Sequence, residues 1–467
     1  MSRTETACQP SAGVCYLWVE PQQPATAPVL DMPETSLEKL VPEKDFVLPL
    51  EQRSQILFRL SNTLRASGGE PWLKRHFFQL HTEADELESF LDDYGARYNK
   101  TYHTLTEIVA SIRGFALAGM SLEHLARRFA GYGLSHALTA EDLADGQRAV
   151  LEVRAFVQSS AQRLLHAFED EARSLGLRVA TDTFPQDGFQ DGVLRFSLPR
   201  NVGQEELQDE EQKIAEVASK YLQACTMFEQ SGVRRIADPA EIESFMQARC
   251  TEEHARVYEA TVHNLQSAYD THIGNTVIEG RDKRLPRLRG HISASLHLLE
   301  AVTQLTHFVE RHESGQRSEA AEKRLSGLVP RDQVRRATLN TLLYWAHRAM
   351  LSGRHLAEEL LPSYTNVQTL EIEIDDDLNL HARPVSLIVG IVAHYGTPVE
   401  AEVAGRVCNA GSILELMIAV GSQPDCRRIL FRGDENPLRD IGLLFEAGLG
   451  ENGLDGLPEE LRYLKRS

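Results

Sequence analysis

The run Leu380-His381-Ala382-Arg383-Pro384 combines residue types that can bind and transfer a phosphoryl group. An unprotonated imidazole nitrogen is a nucleophile, and a guanidinium binds phosphoryl oxygens through charge-assisted hydrogen bonds. Pro384 favours the first turn of a helix, because proline lacks an N–H and its φ is already helical. The free amides and the dipole at a helix start attract anions. The run therefore predicts an anion site at a helix N-terminus, with a plain solvated histidine as the alternative.

The flanking residues predict the strand and the helix that position this run. Residues 369–374 alternate apolar and acidic side chains, which is the pattern of a half-buried strand. The residues after the run carry apolar side chains at helical spacing, namely Val385, Leu387, Ile388, Ile391 and Val392. Tyr395-Gly396 supplies a stop for this helix. His381 and Arg383 are therefore expected at a strand-to-helix junction.

The rest of the C-terminal part predicts a small α+β fold. Strand patterns occupy residues 398–403, 406–408 and 427–432, and helical patterns occupy residues 409–417 and 438–447. The resulting order, β-α-β-β-α-β-α, predicts an open-faced sandwich in which helices cover one face of a single sheet. We assign residues 368–450 to this domain and residues 451–467 to a tail.

Two runs in this domain resemble the motifs of the HPr family, the histidine-containing phosphocarrier proteins of the phosphoenolpyruvate-dependent phosphotransferase system. The run around His381 is similar to the family's phosphohistidine motif, and residues 409–417 are similar to its regulatory-serine motif. The resemblance implies an HPr-like sandwich in which His381 accepts a phosphoryl group from an enzyme I-like donor and relays it to a downstream acceptor protein. It also implies that Arg383 stabilises the phosphorylated imidazole, that an HPr kinase phosphorylates Ser412, and that partners dock on Ile413, Leu414 and Met417.

Several of these implied roles have structural alternatives. Ser412 and Glu415 have the spacing of a capping box, so the hydroxyl has a capping role in a short helix, which is the interpretation we favour. The apolar docking residues have core packing as their alternative, and for Leu416 core packing is our prediction. The chain also departs from the family: Asn379 stands where a glycine is usual, and residues 375–377 are three aspartates that would repel a phosphoryl donor.

The preceding part of the chain predicts a mainly α-helical region of unassigned role. Residues 1–40 are rich in Pro, Gln, Ser and Thr, which is typical of a disordered leader. Residues 41–361 form the helical region, and residues 362–367 form a linker. Helical patterns occupy residues 48–64, 70–80, 83–94, 121–129, 139–175, 205–230, 238–269, 290–312 and 332–361, and a continuation of the third pattern to residue 112 is left open. Two strand-like runs, at 177–181 and 192–198, predict a small β-hairpin inside this region.

Neither the histidines nor the charges of the helical region predict a second site. Fifteen of the 17 histidines lie there, but no pair has the spacing of ligands on one helix face. No glycine-rich phosphate loop or metalloprotease motif is present in the sequence. Residues 281–289 carry four arginines and one lysine around Pro286 and predict an interhelical loop. Such a loop is either a plain solvated connection, which we favour, or a dock for an anionic partner.

Composition excludes several classes of protein. The net charge of -19 disfavours general binding to nucleic acid or to an anionic membrane, and no apolar run approaches the roughly 20 residues of a membrane span. The six cysteines are scattered without a C-x-x-C pair, which is typical of a reduced, cytoplasmic protein. We predict no metal and no cofactor.

Two functions from different classes fit these observations. The first is a phosphocarrier of a sugar-uptake or regulatory phosphotransferase system, which is a carrier of phosphoryl groups rather than a turnover enzyme. The second is a regulatory or binding protein, whose HPr-like domain senses phosphorylation and controls the helical region or a partner. A helical scaffold with a silent C-terminal domain is disfavoured, because His381 and Arg383 are both present.

Overall fold

The computed structural model describes residues 40–66, 68–185, 210–313, 319–374, 380–423, 426–451 and 453–466. These residues are mostly helical and contain a four-stranded antiparallel sheet near the C-terminus. The chain divides into two compact units, Met1–Phe46 and Val47–Ser467. The predicted leader lies outside the described residues up to residue 39.

Helices occupy the described part of the chain before the sheet. In chain order they are α1 Glu43–Ala66, α2 Lys74–Asp93, α3 His103–Arg128, α4 Ala140–Ser174, α5 Glu210–Ser231, α6 Pro239–Arg249, α7 Glu252–His272, α8 Val277–Arg281, α9 Arg284–Glu313, α10 Glu319–Leu328, α11 Arg331–Ala337, α12 Tyr344–Ser352 and α13 Arg354–Ser363. A π-helical segment, Thr338–Leu343, joins α11 to α12. The prediction of a large helical region is therefore confirmed.

Two predicted helix starts are confirmed by their capping contacts. Thr139 precedes α4, its side chain accepts a hydrogen bond from the backbone N–H of Asp142, and Asp142 completes the capping box. Asp238 precedes α6, its side chain accepts from the N–H of Ala240, and Pro239 occupies the first turn. The sequence predicts these helix starts because an N-cap residue and the amide that it caps lie within three residues of each other.

Some predicted helix boundaries are wrong. The patterns at 70–80 and 83–94 belong to one helix, α2, and Ser121 lies inside α3 instead of beginning a new helix. The extended prediction of 238–269 breaks into α6 and α7, where Thr251 caps α7 by accepting from His254. Helix α3 packs against α2, α4 and α9. This burial keeps the helix continuous at Ser121, although serine by itself favours a helix start.

Helix α3 and the 3₁₀ turn that follows it are long and apolar. Over the described residues, His103–Tyr132 is the segment that meets the length and composition of a membrane span, with a mean hydropathy of 1.3 in its most apolar window. In that window 72% of the residues are buried against the rest of the structure. A core helix meets the same test, so the segment is weak evidence for a span.

The first arm of the predicted hairpin is wrong, and the second arm lies outside the described residues. Residues 177–181 are irregular and run along α1. The Asn62 side chain donates to the carbonyl oxygens of Ala180 and Asp182 at 2.9 Å each, and the N–H of Phe184 donates to the Arg59 carbonyl at 3.2 Å. Helix α1 therefore satisfies backbone groups that a partner strand would otherwise satisfy.

The predicted loop at residues 281–289 is also wrong, because helix α9 begins at Arg284. Pro286 falls in the first turn of α9, where a missing N–H removes no intrahelical hydrogen bond. The Arg284 and Arg289 guanidiniums are neutralised by Asp282 and Asp270, each at 2.6 Å. The segment is thus the start of a helix with two of its arginines paired, while Arg281, Lys283 and Arg287 are exposed.

The C-terminal part follows the predicted element order, β-α-β-β-α-β-α. Its elements are β1 Val367–Glu373, α14 Ala382–Tyr395, β2 Val399–Val403, β3 Arg406–Asn409, α15 Ile413–Gly421, β4 Arg428–Asp434 and α16 Glu435–Glu446. The antiparallel sheet has the strand order β1-β4-β2-β3, with Phe431 opposite both Leu370 and Ala401. Burial alternates along β2, and the three helices share one buried core with the sheet.

The segment after residue 450 is part of this core. It follows a 3₁₀ turn at Gly448–Gly450, forms 3₁₀ turns at Leu454–Gly456 and Glu459–Arg466, and buries Leu457, Leu461 and Leu464. The predicted linker is shorter than expected, since α13 runs to Ser363 and β1 begins at Val367. Between them, the hydroxyl of Tyr364 donates to Asp282 at 3.0 Å.

Candidate functional site

His381 is the N-cap residue of α14, where the predicted strand-to-helix junction places it. Its backbone is extended, and its Nδ1 accepts a hydrogen bond from the backbone N–H of Arg383 at 3.3 Å. Pro384 lies in the first turn, and Gly396, with a φ of 67°, ends the helix as expected. The imidazole thus lies over the start of a helix, where the N–H of Arg383 donates to it, and about half of its side-chain surface is exposed.

The other nitrogen of His381 contacts a carboxylate that the sequence did not point to. Nε2 lies 2.7 Å from Oε1 of Glu451, and both side chains are largely exposed. Glu451 directly follows a turn in which Gly448, Leu449 and Gly450 all have positive φ. Because 70 residues separate the partners, no local spacing could reveal the pair.

Arg383 faces a cavity between α14 and the C-terminal segment. Its side chain has no hydrogen-bond or ion-pair partner among the described residues. The cavity measures about 430 Å³, and Arg383 and Ser386 provide its polar lining. Its other walls are small and apolar, from Leu387, Val389, Gly390, Ala393, Gly450, Gly453, Leu454 and Leu464. A guanidinium that is not committed to a carboxylate can bind an anion beside His381.

A buried carboxylate ties the C-terminal segment to α14. Asp440 is 1% exposed, and its Oδ2 accepts hydrogen bonds from the hydroxyls of Tyr395 at 2.7 Å and Tyr463 at 2.8 Å. Burial, followed by the hydrogen bond to Asp440, raises the pKa of both phenols, so both remain donors. Arg439 donates to Oδ1, and the ring of His394 stacks on Tyr463 at 3.8 Å. This network holds in place the segment that begins with Glu451.

Ser412 caps α15, as predicted, but the second half of the expected capping box differs. The Ser412 hydroxyl accepts from the N–H of Glu415 at 3.3 Å, whereas the Glu415 carboxylate accepts from the N–H of Asn409 at 3.0 Å. A Cβ added to Gly411 would lie 3.1 Å from Val392 of α14. Since Val392 is roughly 15 Å along the helix axis from His381, Ser412 lies beside the far end of α14.

We expect Ser412→Ala to destabilise α15 by about 1 kcal/mol, because the N–H of Glu415 loses its acceptor. Ser412→Asp retains an acceptor and places a negative charge at a helix N-terminus, so it should keep most of that stability. Hydrogen exchange at the amides of residues 413–421 measures both effects. Equal loss of protection in the two variants would contradict the capping role.

The predicted docking residues separate into exposed and core positions. Ile413 and Leu414 are exposed, the latter at 70%, while Met417 is half-buried against the core. Leu416 is fully buried, so its predicted core role is confirmed. Two further exposed apolar side chains, Val407 and Ile418, were not predicted. Ile418 follows Leu414 by one helical turn, a spacing that could have revealed it.

The helical region brings together two histidine pairs that sequence spacing did not reveal. The rings of His124 and His297 lie 4.4 Å apart across α3 and α9, with Glu300 hydrogen-bonded to Nδ1 of His297 at 2.9 Å. The Nε2 atoms of His136 and His291 lie 3.3 Å apart. Each pair joins separate elements, so no periodicity within one helix could predict it.

His291 makes the helical region sensitive to acid. It is fully buried, Nδ1 donates to the Ala349 carbonyl at 2.8 Å, and burial lowers the pKa of His291 from 6.5 to about 4. A pKa lower in the folded than in the unfolded chain removes stability as the pH falls below 6.5. We expect His291 to lower the free energy of unfolding by about 2 kcal/mol between pH 6.5 and pH 5.

Urea unfolding followed by tryptophan fluorescence measures this effect, since Trp72 and Trp345 lie in the helical region. Glutamine does not titrate in this range, so the stability gap between the wild type and His291→Gln should narrow as the pH falls. A gap that stays constant from pH 7 to pH 5 would contradict the prediction.

Comparisons of the chain with protein-family models, curated proteins and solved structures found no match. In the part of the chain that the structure describes, no group of three or more His, Cys, Asp or Glu side chains has an arrangement that could hold a metal ion. Assignment of a function therefore depends on the chemistry of the His381 site.

Proposed function

We propose that the chain is a phosphocarrier of a phosphoenolpyruvate-dependent phosphotransferase system, with His381 as the phosphoryl acceptor. The observation that carries the proposal is the placement of His381 at the start of α14, with one ring nitrogen directed at the backbone N–H of Arg383. A phosphoryl group on the imidazole would lie where helix amides and the dipole favour negative charge. The guanidinium of Arg383 would bind its oxygens.

The architecture around the site supports an HPr-like open-faced sandwich. The element order β1-α14-β2-β3-α15-β4-α16, the antiparallel sheet and the alternating burial of β2 all fit this fold. The histidine run lies at the first helix and the serine run at the second, as in the family that the motifs resemble. Residues 368–450 would form the domain, with the segment to residue 466 completing its core.

The proposed partners are an enzyme I-like donor and a downstream acceptor protein in the cytoplasm. Their docking surface would be Ile413, Leu414 and Met417, extended by the exposed Ile418 of the same helix. Burying exposed apolar side chains at an interface favours association, because it removes apolar surface from water. An HPr kinase acting on Ser412 would add nearly two negative charges beside this surface and weaken docking of an acidic partner.

The contact between the sheet-bearing part and the helical region favours a second candidate function. The Asn436 side chain donates to Gln212 of α5 at 3.3 Å, and a Cβ added to Gly396 would lie 2.6 Å from Cγ of Glu216. Together with the bond between Tyr364 and Asp282, these contacts join the sheet-bearing part to the helical region. A regulatory protein whose helical region responds to phosphorylation of His381 would need such contacts.

Incubation of the full chain with enzyme I and radiolabelled phosphoenolpyruvate tests the proposal. We expect one phosphoryl group per chain, labile in acid and stable in alkali, as for a phosphorylated imidazole. Transfer of this label to an added acceptor protein supports the phosphocarrier. A label that stays on the chain and changes hydrogen exchange in α5 supports the regulatory alternative, and absence of label with several enzyme I sources rejects both.

A further inference from the structure

The contacts of His381 define which of its ring nitrogens carries the proton. Oε1 of Glu451 lies 2.7 Å from Nε2 of His381. An ionised carboxylate can only accept a hydrogen bond, so Nε2 must carry the proton and donate it. On the other side, the backbone N–H of Arg383 donates to Nδ1 at 3.3 Å, so Nδ1 must offer its lone pair. Both contacts favour the same tautomer of the neutral imidazole.

The position of Glu451 is set by the preceding turn, Gly448–Gly450, in which all three residues have positive φ. Leu449 is fully buried and has a φ of 57° and a ψ of 21°, a left-handed conformation that is costly for a side chain with a Cβ. Gly448 and Gly450 flank it with φ values of 69° and 70°. A Cβ added to Gly450 would lie 2.8 Å from Leu387, so this turn presses closely on α14. The turn directs Glu451 towards His381.

We propose that Glu451 is a positioning residue for phosphoryl transfer to His381, and this inference rests on the proposed function. Glu451 holds the proton on Nε2 and so keeps the lone pair on Nδ1, which exchanges the hydrogen bond from the Arg383 N–H for a bond to phosphorus. As the Nδ1–P bond forms, the bond from phosphorus to the donor breaks and its electron pair remains with the donor. No proton moves: the proton stays on Nε2 and remains hydrogen-bonded to Glu451, whose negative charge offsets the positive charge that the ring gains.

Three variants test the role of Glu451. Glu451→Gln keeps an acceptor for Nε2–H but removes the charge, and Glu451→Ala removes both. Glu460→Gln is the matched control, because Glu460 is an exposed carboxylate on the same segment. We expect Glu451→Ala to slow phosphorylation by about 10- to 100-fold, Glu451→Gln to slow it less, and Glu460→Gln to leave it unchanged.

The decisive readout is the tautomer of His381, measured by ¹⁵N NMR of the full chain in the absence of any phosphoryl donor. We expect the Nε2–H form to dominate in the wild type and in Glu451→Gln, and both tautomers to be populated in Glu451→Ala. The phosphorylated Glu451→Ala chain should also carry phosphate on both nitrogens, while the wild type carries it on Nδ1. A merely structural role for Glu451 would change neither result.

The two proposals fail in different ways. A wild-type chain that accepts no label, yet shifts its tautomer in Glu451→Ala, rejects the phosphocarrier and retains the positioning of the proton. A chain that is labelled at the same rate and on the same nitrogen in the wild type and Glu451→Ala, with an unchanged tautomer, rejects the role of Glu451 alone.

Discussion

A chain carrying His381→Ala is expected to take up no acid-labile phosphoryl group, a loss of at least about 100-fold against the wild type. The nucleophilic nitrogen is then absent, and no other described histidine combines a helix N-cap position with an arginine two residues later. The measurement is label per chain after incubation with enzyme I and radiolabelled phosphoenolpyruvate. Circular dichroism of the same samples shows that the helices are retained.

His355 provides the matched control for this experiment. Its ring is exposed and its Nε2 contacts Glu359 at 2.9 Å, so it shares with His381 both exposure and a carboxylate partner. However, Ala357 stands where an arginine would be. We expect His355→Ala to be labelled like the wild type. Full labelling of His381→Ala, or loss of label in His355→Ala, would show that the acceptor lies elsewhere.

Asp440→Ala is expected to destabilise the C-terminal core by about 3 kcal/mol. Three side chains lose an acceptor at once, namely Tyr395, Tyr463 and Arg439. A donor left without a partner away from water costs about 1–3 kcal/mol, and two phenols are affected, whereas the exposed Arg439 can turn to water. Because Tyr463 lies in the segment that completes the core, this segment should separate from α14 first.

Hydrogen exchange of the full chain measures this effect locally. We expect exchange in residues 459–466 and in α14 to accelerate by about 100-fold in Asp440→Ala, which corresponds to about 3 kcal/mol. Asp440→Asn is the matched control, since its amide oxygen still accepts a hydrogen bond from one tyrosine. Hydrogen exchange in Asp440→Asn should be faster than in the wild type and slower than in Asp440→Ala. Unchanged exchange in Asp440→Ala would mean that the buried leucines alone hold the segment.

Local sequence signals predicted much of the C-terminal part and of its candidate site. The helix start at Pro384, the stop at Gly396 and the cap at Ser412 each depend on residues within one helical turn, and all three are present in the structure. The alternating residues of β1 and β4 likewise pair as strands. The assignment of a phosphoryl group to His381 remains a prediction.

What the sequence could not show are contacts between distant segments. Glu451, Asp440 and the two histidine pairs act through partners that lie 23 or more residues away, and no periodicity encodes such a pairing. The hairpin prediction was wrong for the same reason. The side chain of Asn62, more than 100 residues away, donates hydrogen bonds to the carbonyl oxygens of Ala180 and Asp182. Burial of α3 between three other helices likewise overrode the helix start that Ser121 suggested.

The packed segment at residues 454–466 has a consequence for genetics. A nonsense mutation at codon 458 would leave both recognisable motifs intact, yet the shortened product would lack Leu461, Tyr463 and Leu464 from the core. Asp440 would keep only one tyrosine, and the turn that presents Glu451 would lose its support. Loss-of-function alleles should therefore include truncations within codons 454–466, far from the codon for His381.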